Sequence, residues 1–181
     1  QQLEEVVVTA TKRSESLQDV PISVTAFSQE DMDLRGFSNL QGVQESTPNL
    51  NFSVQSAGQN VARVTLRGIG TETLIGGGDP GVALHIDGIY VGRNSAAAGD
   101  IFDVARVEVL RGPQGTLFGR NATGGSINII TQRPTEEFEA NIDASIGNYN
   151  ARRIRGVVNG SLADSTSGRL AVFLDQRDGY M

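Results

Sequence analysis

The chain has no cysteine, which excludes disulfides and thiolate metal sites. That absence suits an oxidising compartment, where stray thiols are a liability, and suits other compartments too. One histidine among 181 residues argues against an all-protein zinc site, and no metal is expected. No apolar run approaches the ~20 residues of a membrane-spanning helix. No segment is strongly basic. Residues 1–50 carry three basic and eight acidic side chains (net −5), residues 51–135 seven and six (net +1), and residues 136–181 five and seven (net −2). A phosphate backbone calls for a clustered positive field, so no nucleic acid is expected as a partner. The length suits one domain, or one domain plus a fragment of another. The chain starts at Gln1 rather than Met, for which a cleaved secretory signal and simple trimming both account.

What is present is glycine beside arginine. The stretch RVEVLRGPQGTLFGRNATGGSINIITQRP, from Arg106 to Pro134, holds five glycines, two prolines, four arginines and one glutamate. It is not a phosphate loop, because no lysine follows Gly119, Gly124 or Gly125. A dinucleotide fingerprint fails at Gly68-Ile69-Gly70, where Thr73 replaces the third glycine. The run Gly76 to Gly81 has the letters of that fingerprint but precedes a strand-like segment rather than a helix. No nucleophile elbow occurs, and no catalytic residue is expected. Asn121-Ala-Thr123 and Asn159-Gly-Ser161 match the glycosylation sequon, a pattern short enough to arise by chance.

Strands and short helices alternate up to Pro134. Residues 1–19 are polar except for Leu3, Val6–Val8 and Leu17, and read as a mobile arm with one strand-prone patch. Residues 20–27 read as a strand. A helix follows, with Ser28 as its N-cap and Gly36 as its stop. A second short helix ends at Thr47-Pro48. Strands are expected at 50–55 and 62–68, then a glycine-rich loop over 71–81, then a strand pair about Asp87-Gly88. Residues 99–112 are expected to form a helical turn and then a strand from Arg106 to Leu110. His85 alternates with Leu84 and Ile86 and reads as a structural histidine on the opposite face.

After Pro134 the pattern changes. Phe138, Ala140, Ile142, Ala144 and Ile146 alternate with polar residues. The run 151–162 continues the alternation less cleanly, and Leu170, Val172 and Leu174 share one side of a third run. Strands of about ten residues, apolar or small on one face and mostly polar on the other, suit a transmembrane barrel, though also an amphipathic hairpin on a soluble sheet.

These residues resemble one family. The Arg106–Pro134 stretch resembles the plug signature of TonB-dependent outer-membrane receptors. VTLRGIG (64–70) looks like that family's upstream Arg-Gly strand, and DPGVALHIDGIYVGR (79–93) like its middle hairpin. EEVVVTA (4–10) is similar to the TonB box, and SIGNYNARRIRGVVNGSL to the first barrel hairpin. The resemblance implies an α+β chain. A TonB-box arm would span 1–19 and a plug domain with a mixed β-sheet and short helices 20–135. The antiparallel amphipathic strands that start an incomplete, truncated outer-membrane β-barrel would span 136–181.

By the same resemblance, Val6, Val7, Val8, Thr9 and Ala10 would bind TonB. Arg67 and Arg111, each read as ending a strand before a glycine, would lock the plug to barrel glutamates lying beyond residue 181. Pairing of Arg111 with Glu108 is the alternative. Gly68, Gly112, Pro113, Gly115, Gly119, Gly124 and Gly125 would shape the plug's turns and let its backbone approach the wall. The implied function is receptor-mediated uptake of a scarce nutrient, most often a ferric siderophore, across the bacterial outer membrane. The implied partners are TonB and, through the full barrel, outer-membrane lipid. No cofactor is implied, and no enzymatic step. A soluble periplasmic plug-like module that binds TonB or ligand without transport stays open.

Overall fold

A computed structural model describes residues 7–37, 39–55, 61–70, 79–92 and 99–179. It divides into two units, Gln1–Thr131 and Gln132–Met181.

The first unit is built on a five-stranded sheet of order β3-β9-β10-β7-β8. Its strands are β3 (Ser23–Ser28), β7 (Val82–Ile86), β8 (Ile89–Tyr90), β9 (Val104–Arg111) and β10 (Gly125–Thr131). It is mixed: β10 runs parallel to β7 and antiparallel to β9. A smaller sheet joins β4 (Leu50–Gln55), β5 (Val61–Leu66) and β6 (Ile69–Gly70). Helix α1 (Gln29–Arg35) starts where the sequence says it should. The Ser28 hydroxyl accepts from the Asp31 N–H at 3.1 Å, and Asp31 accepts in return from the Ser28 N–H. Gly36 closes the helix in the left-handed region at φ 70°. Helix α2 (Leu40–Glu45) is capped by Asn39.

The period of two along β9 divides this unit into two cores. Val107 and Val109 join Met32, Leu40, Val43, Phe52 and Leu66 on the side covered by the helices and the β4–β5 hairpin. Leu110 points the other way, into a second cluster with Ala83, Phe118, Val8 and Ala10. The N-terminal segment covers this second face. Val7–Val8 (β1) pairs with Glu15–Ser16 (β2), and both Val8 and Ala10 are fully buried. This corrects the expectation of a mobile arm. Two small apolar side chains on an otherwise polar leader suffice, because a neighbouring sheet face supplies the rest of the core.

Two other expectations change. Residues 99–103 form no helical turn. Asp100 bridges to Asn39 and Asp103 takes φ 54°, which leads directly into β9. The glycine-rich stretch instead holds a short helix, α3 (Gly115–Phe118), that seats Phe118 in the second cluster.

The second unit is a three-stranded antiparallel meander of β11 (Glu139–Gly147), β12 (Ala151–Ala163) and β13 (Thr166–Gln176). Its register puts Ile142, Ile146, Ile154, Val158, Leu170, Val172 and Leu174 on one face, all exposed. The other face carries Glu139, Asp143, Arg153, Arg155, Asn159, Arg169 and Asp175. Arg153 pairs with Asp175 at 2.7 Å, and Arg169 with Glu139 at 3.1 Å. An apolar outer face over a polar, ion-paired inner one is the pattern of a barrel wall. Three strands do not close one.

Candidate functional site

The docked arm sits on a polar row that crosses the second face of the large sheet. Arg106 and Glu108 alternate with Val107 and Val109, so they face the arm. The Glu108 carboxylate is fully buried. Its Oε1 accepts from the Thr9 N–H at 2.7 Å, the Thr9 hydroxyl at 3.1 Å and the Arg106 Nε–H at 2.7 Å. Its Oε2 has no hydrogen-bond partner among the described residues. A buried carboxylate is costly unless paired and hydrogen-bonded, so Thr9 and Arg106 are what make this placement tolerable.

Beside it lies a second polar group. His85 Nδ1 is 3.1 Å from the Ser126 hydroxyl, which donates to Asn128 Oδ1 at 2.9 Å. The imidazole stacks edge-on to Phe118, whose ring lies 5.6 Å from Lys12 Nζ. Burial lowers the His85 pKa below its ordinary 6.5, and the Lys12 ammonium lowers it further. His85 is therefore a satisfied structural histidine, neutral at pH 7. Among the described residues no cluster of His, Cys, Asp and Glu could hold a metal.

Of the arm residues singled out in the sequence, Val7, Val8, Thr9 and Ala10 lie on this face, and Val6 lies outside the described residues. Thr9 brings its N–H and hydroxyl to the row and Ala10 is buried, while Val7 remains half exposed. Arg106 and Glu108 were missed as arm-holding groups. Their signal was legible, because two charges at alternate positions between valines must share a face opposite the core.

The two candidate lock arginines come together on the opposite side. Arg111 ends β9 as expected. Arg67 does not end a strand: with Gly68 it forms the two-residue turn between β5 and β6, at φ 53° and 79°. Its Nη1 lies 3.4 Å from where a Cβ on Gly112 would stand. Gly112 has φ 107°, so any side chain there would be strained. Arg111 Nε is buried and has no hydrogen-bond partner among the described residues. The alternative pairing of Arg111 with Glu108 is not formed, since the two project to opposite faces and Glu108 is taken by Arg106. Among the described residues no carboxylate pairs with Arg67 or Arg111.

The remaining turn residues fall in order. Gly112 and Pro113 follow β9, Gly115 opens α3, Gly119 closes it, and Gly124 and Gly125 lead into β10. Gly125 shows why no side chain is admitted: a Cβ there would meet the Leu110 carbonyl oxygen at 2.3 Å and Leu66 Cδ2 at 2.4 Å. Its smallness serves packing inside this unit. The loop at 71–78 lies outside the described residues.

The TonB-dependent Receptor Plug Domain family matches residues 16–126, more than half of the chain. The chain belongs to the TonB-dependent receptors. The ferripyoverdine receptor of Pseudomonas aeruginosa is 28% identical over 177 residues, covering 97% of this chain and 21% of that protein. The catecholate siderophore receptor Fiu of Escherichia coli K12 is 33% identical over 162 residues, covering 89% of this chain and 20% of that one. Among solved structures, the pyoverdine outer membrane receptor FpvA from Pseudomonas aeruginosa PAO1 bound to pyoverdine superposes with a TM-score of 0.78 at 26% identity, over 97% of this chain and 25% of that one. This TonB-dependent receptor chain thus spans about a fifth to a quarter of the length of these relatives. Its location is the bacterial outer membrane. The relatives are receptors, not enzymes. The first unit is the plug, with its mixed sheet and short helices, and the second is amphipathic sheet without a closed barrel.

Proposed function

We propose that the chain is the gate and first wall strands of a receptor that imports a ferric siderophore, with TonB supplying energy from the inner-membrane proton gradient. The observation that carries this is the conjunction of a plug fold with a sheet whose apolar face is exposed along all three strands. A water-soluble module would leave Ile142 at 78% and Ile146 at 90% exposure to no purpose, whereas lipid would cover them. This favours the transporter over the soluble binding module.

The division of labour follows from the two faces of the plug. Residues Val6–Ala10 are the segment offered to TonB, as a strand that adds to an exposed sheet edge. Val8 and Ala10 are buried and the Thr9 N–H is engaged by Glu108, so TonB must lift the arm before pairing with it. Arg67 and Arg111 hold the plug to carboxylates on the barrel wall, where a guanidinium fork pairs better than an ammonium. Deleting the gene should abolish growth on one or more ferric siderophores under iron limitation, and the full-length gene should restore it. Equal growth of the deletion strain on every ferric siderophore tested would sink the iron reading and point to another nutrient.

A further inference from the structure

Asn159 is buried on the inner face of β12, and its amide is fully used. Its Oδ1 accepts from the Thr135 N–H at 3.0 Å. Its Nδ2 donates to the Thr135 hydroxyl at 2.7 Å and to the Glu137 carbonyl at 2.8 Å. The residues opposite it on the two neighbouring strands, Glu139 and Arg169, pair with each other at 3.1 Å. A buried asparagine that spends both ends of its amide on main chain holds a segment in place. The segment it holds is the one entering β11. At the other end of the same connection, Asp87 ties down the last plug residue: it accepts from the Thr131 N–H and hydroxyl, each at 2.9 Å. Between the two clasps lie only Gln132, Arg133 and Pro134, and the proline biases Arg133 toward extended backbone.

We infer that Asn159 is a positioning residue that fixes where the plug's exit segment joins the first wall strand, so that the plug moves on a tether of three residues. This rests on the transport reading above. Four Cα steps from Thr131 to Thr135 span at most about 14 Å when extended. While both clasps hold, the connection between Thr131 and Thr135 can pay out no further than that, however hard the N-terminal arm is pulled. The same burial makes Asn159 unavailable to glycosylation at its sequon.

The test uses the full-length receptor with Asn159→Leu, which keeps the volume and removes both amide functions. Amide exchange at Thr135 should rise at least tenfold, with β9 of the plug unchanged in the same sample. Entry of a large antibiotic should rise in cells with TonB and stay at the parent level in cells without it, because a general loosening would leak in both. Asn159→Asp keeps the acceptor for Thr135 and loses the donor, and should fall between. If Asn159→Leu does not assemble, Thr135→Val carries the same expectations at smaller size. Unchanged exchange at Thr135, an equal rise in β9, or leakage that ignores TonB overturns the proposal. So does faster exchange without added leakage in a strain that still grows on its ferric siderophore. Loss of that growth in the parent instead refutes the transport reading, and the Thr135 exchange then decides the clasp by itself.

Discussion

At the scale of single residues, the informative groups are those whose chemistry is unfinished within the chain. Arg111 buries its Nε with no partner among the described residues, and Arg67 adds a second guanidinium close to Gly112. If a barrel carboxylate completes Arg111, Arg111→Ala in the full-length receptor strands that carboxylate, at a cost of about 3–5 kcal/mol where the site is well buried. Thermal stability should fall, and leakage of large antibiotics should rise. Arg111→Lys should recover only part. Arg120 serves as the control, because it is exposed and makes only a long surface pair with Asp79, at 3.5 Å. Stability and leakage equal to those of Arg120→Ala would mean that Arg111 is no lock. His85 gives a pH prediction. Its pKa is lower in the folded state than the ordinary 6.5, so the unfolded chain takes up a proton that the folded one refuses. Its contribution is therefore complete above about 6.5 and is lost as pH falls from there toward the folded value. A spin label at Arg13→Cys should report a more mobile arm as the sample is acidified through that window, and His85→Gln should flatten the response. The sequence disclosed the face of His85 by simple alternation. It could not disclose that Lys12 comes near, because that proximity depends on the arm being docked.

At the scale of elements, legibility tracked how local the determining interaction is. Helix α1 was readable from Ser28 to Gly36 because both caps act within three residues of the helix. The hairpin about Asp87-Gly88 was readable because its two positive φ values are a property of the turn itself. The arm was misread because its stability is borrowed. Nothing in residues 7–10 predicts order; Leu110, Ala83 and Phe118 supply it from elsewhere in the chain. Helix α3 was missed for a related reason: four residues, the first of them a glycine, carry no apolar period, and only the burial of Phe118 gives them a purpose. The arm yields the element-scale prediction. Val7→Pro removes a main-chain donor and should weaken binding of the arm to the C-terminal domain of TonB, because a strand added to a sheet edge needs that donor. Undiminished affinity in a pull-down or by calorimetry would mean that the TonB-binding segment lies elsewhere.

At the scale of the whole molecule, the two units answer to different solvents. The plug has two closed cores, whereas β11–β13 present an apolar face and, in β13, an unpaired edge. Three strands without a second layer are marginal in water. Residues 1–181 alone, in water, should exchange amide hydrogens quickly from β11 to β13 and slowly in β5 and β9. Strong protection from 139 to 176 in a monomer would argue for the soluble module instead. The amphipathic strands were legible from alternation, because a period of two is a sequence property; closure was not, because three strands do not carry it. The docked arm has a consequence for the whole plug. Thr9 bonds the buried Oε1 of Glu108, and Val8 and Ala10 complete the cluster around Leu110, so the arm cannot leave without exposing a carboxylate and an apolar patch on the central strand. A partner that recognises only the lifted arm is then a ligand of an opened plug, and by mass action it draws the domain toward that form. At a hundredfold excess over its Kd the shift is about 2.7 kcal/mol. To the plug, such a partner is thermodynamically a denaturant, selective for one domain and addressed to five residues.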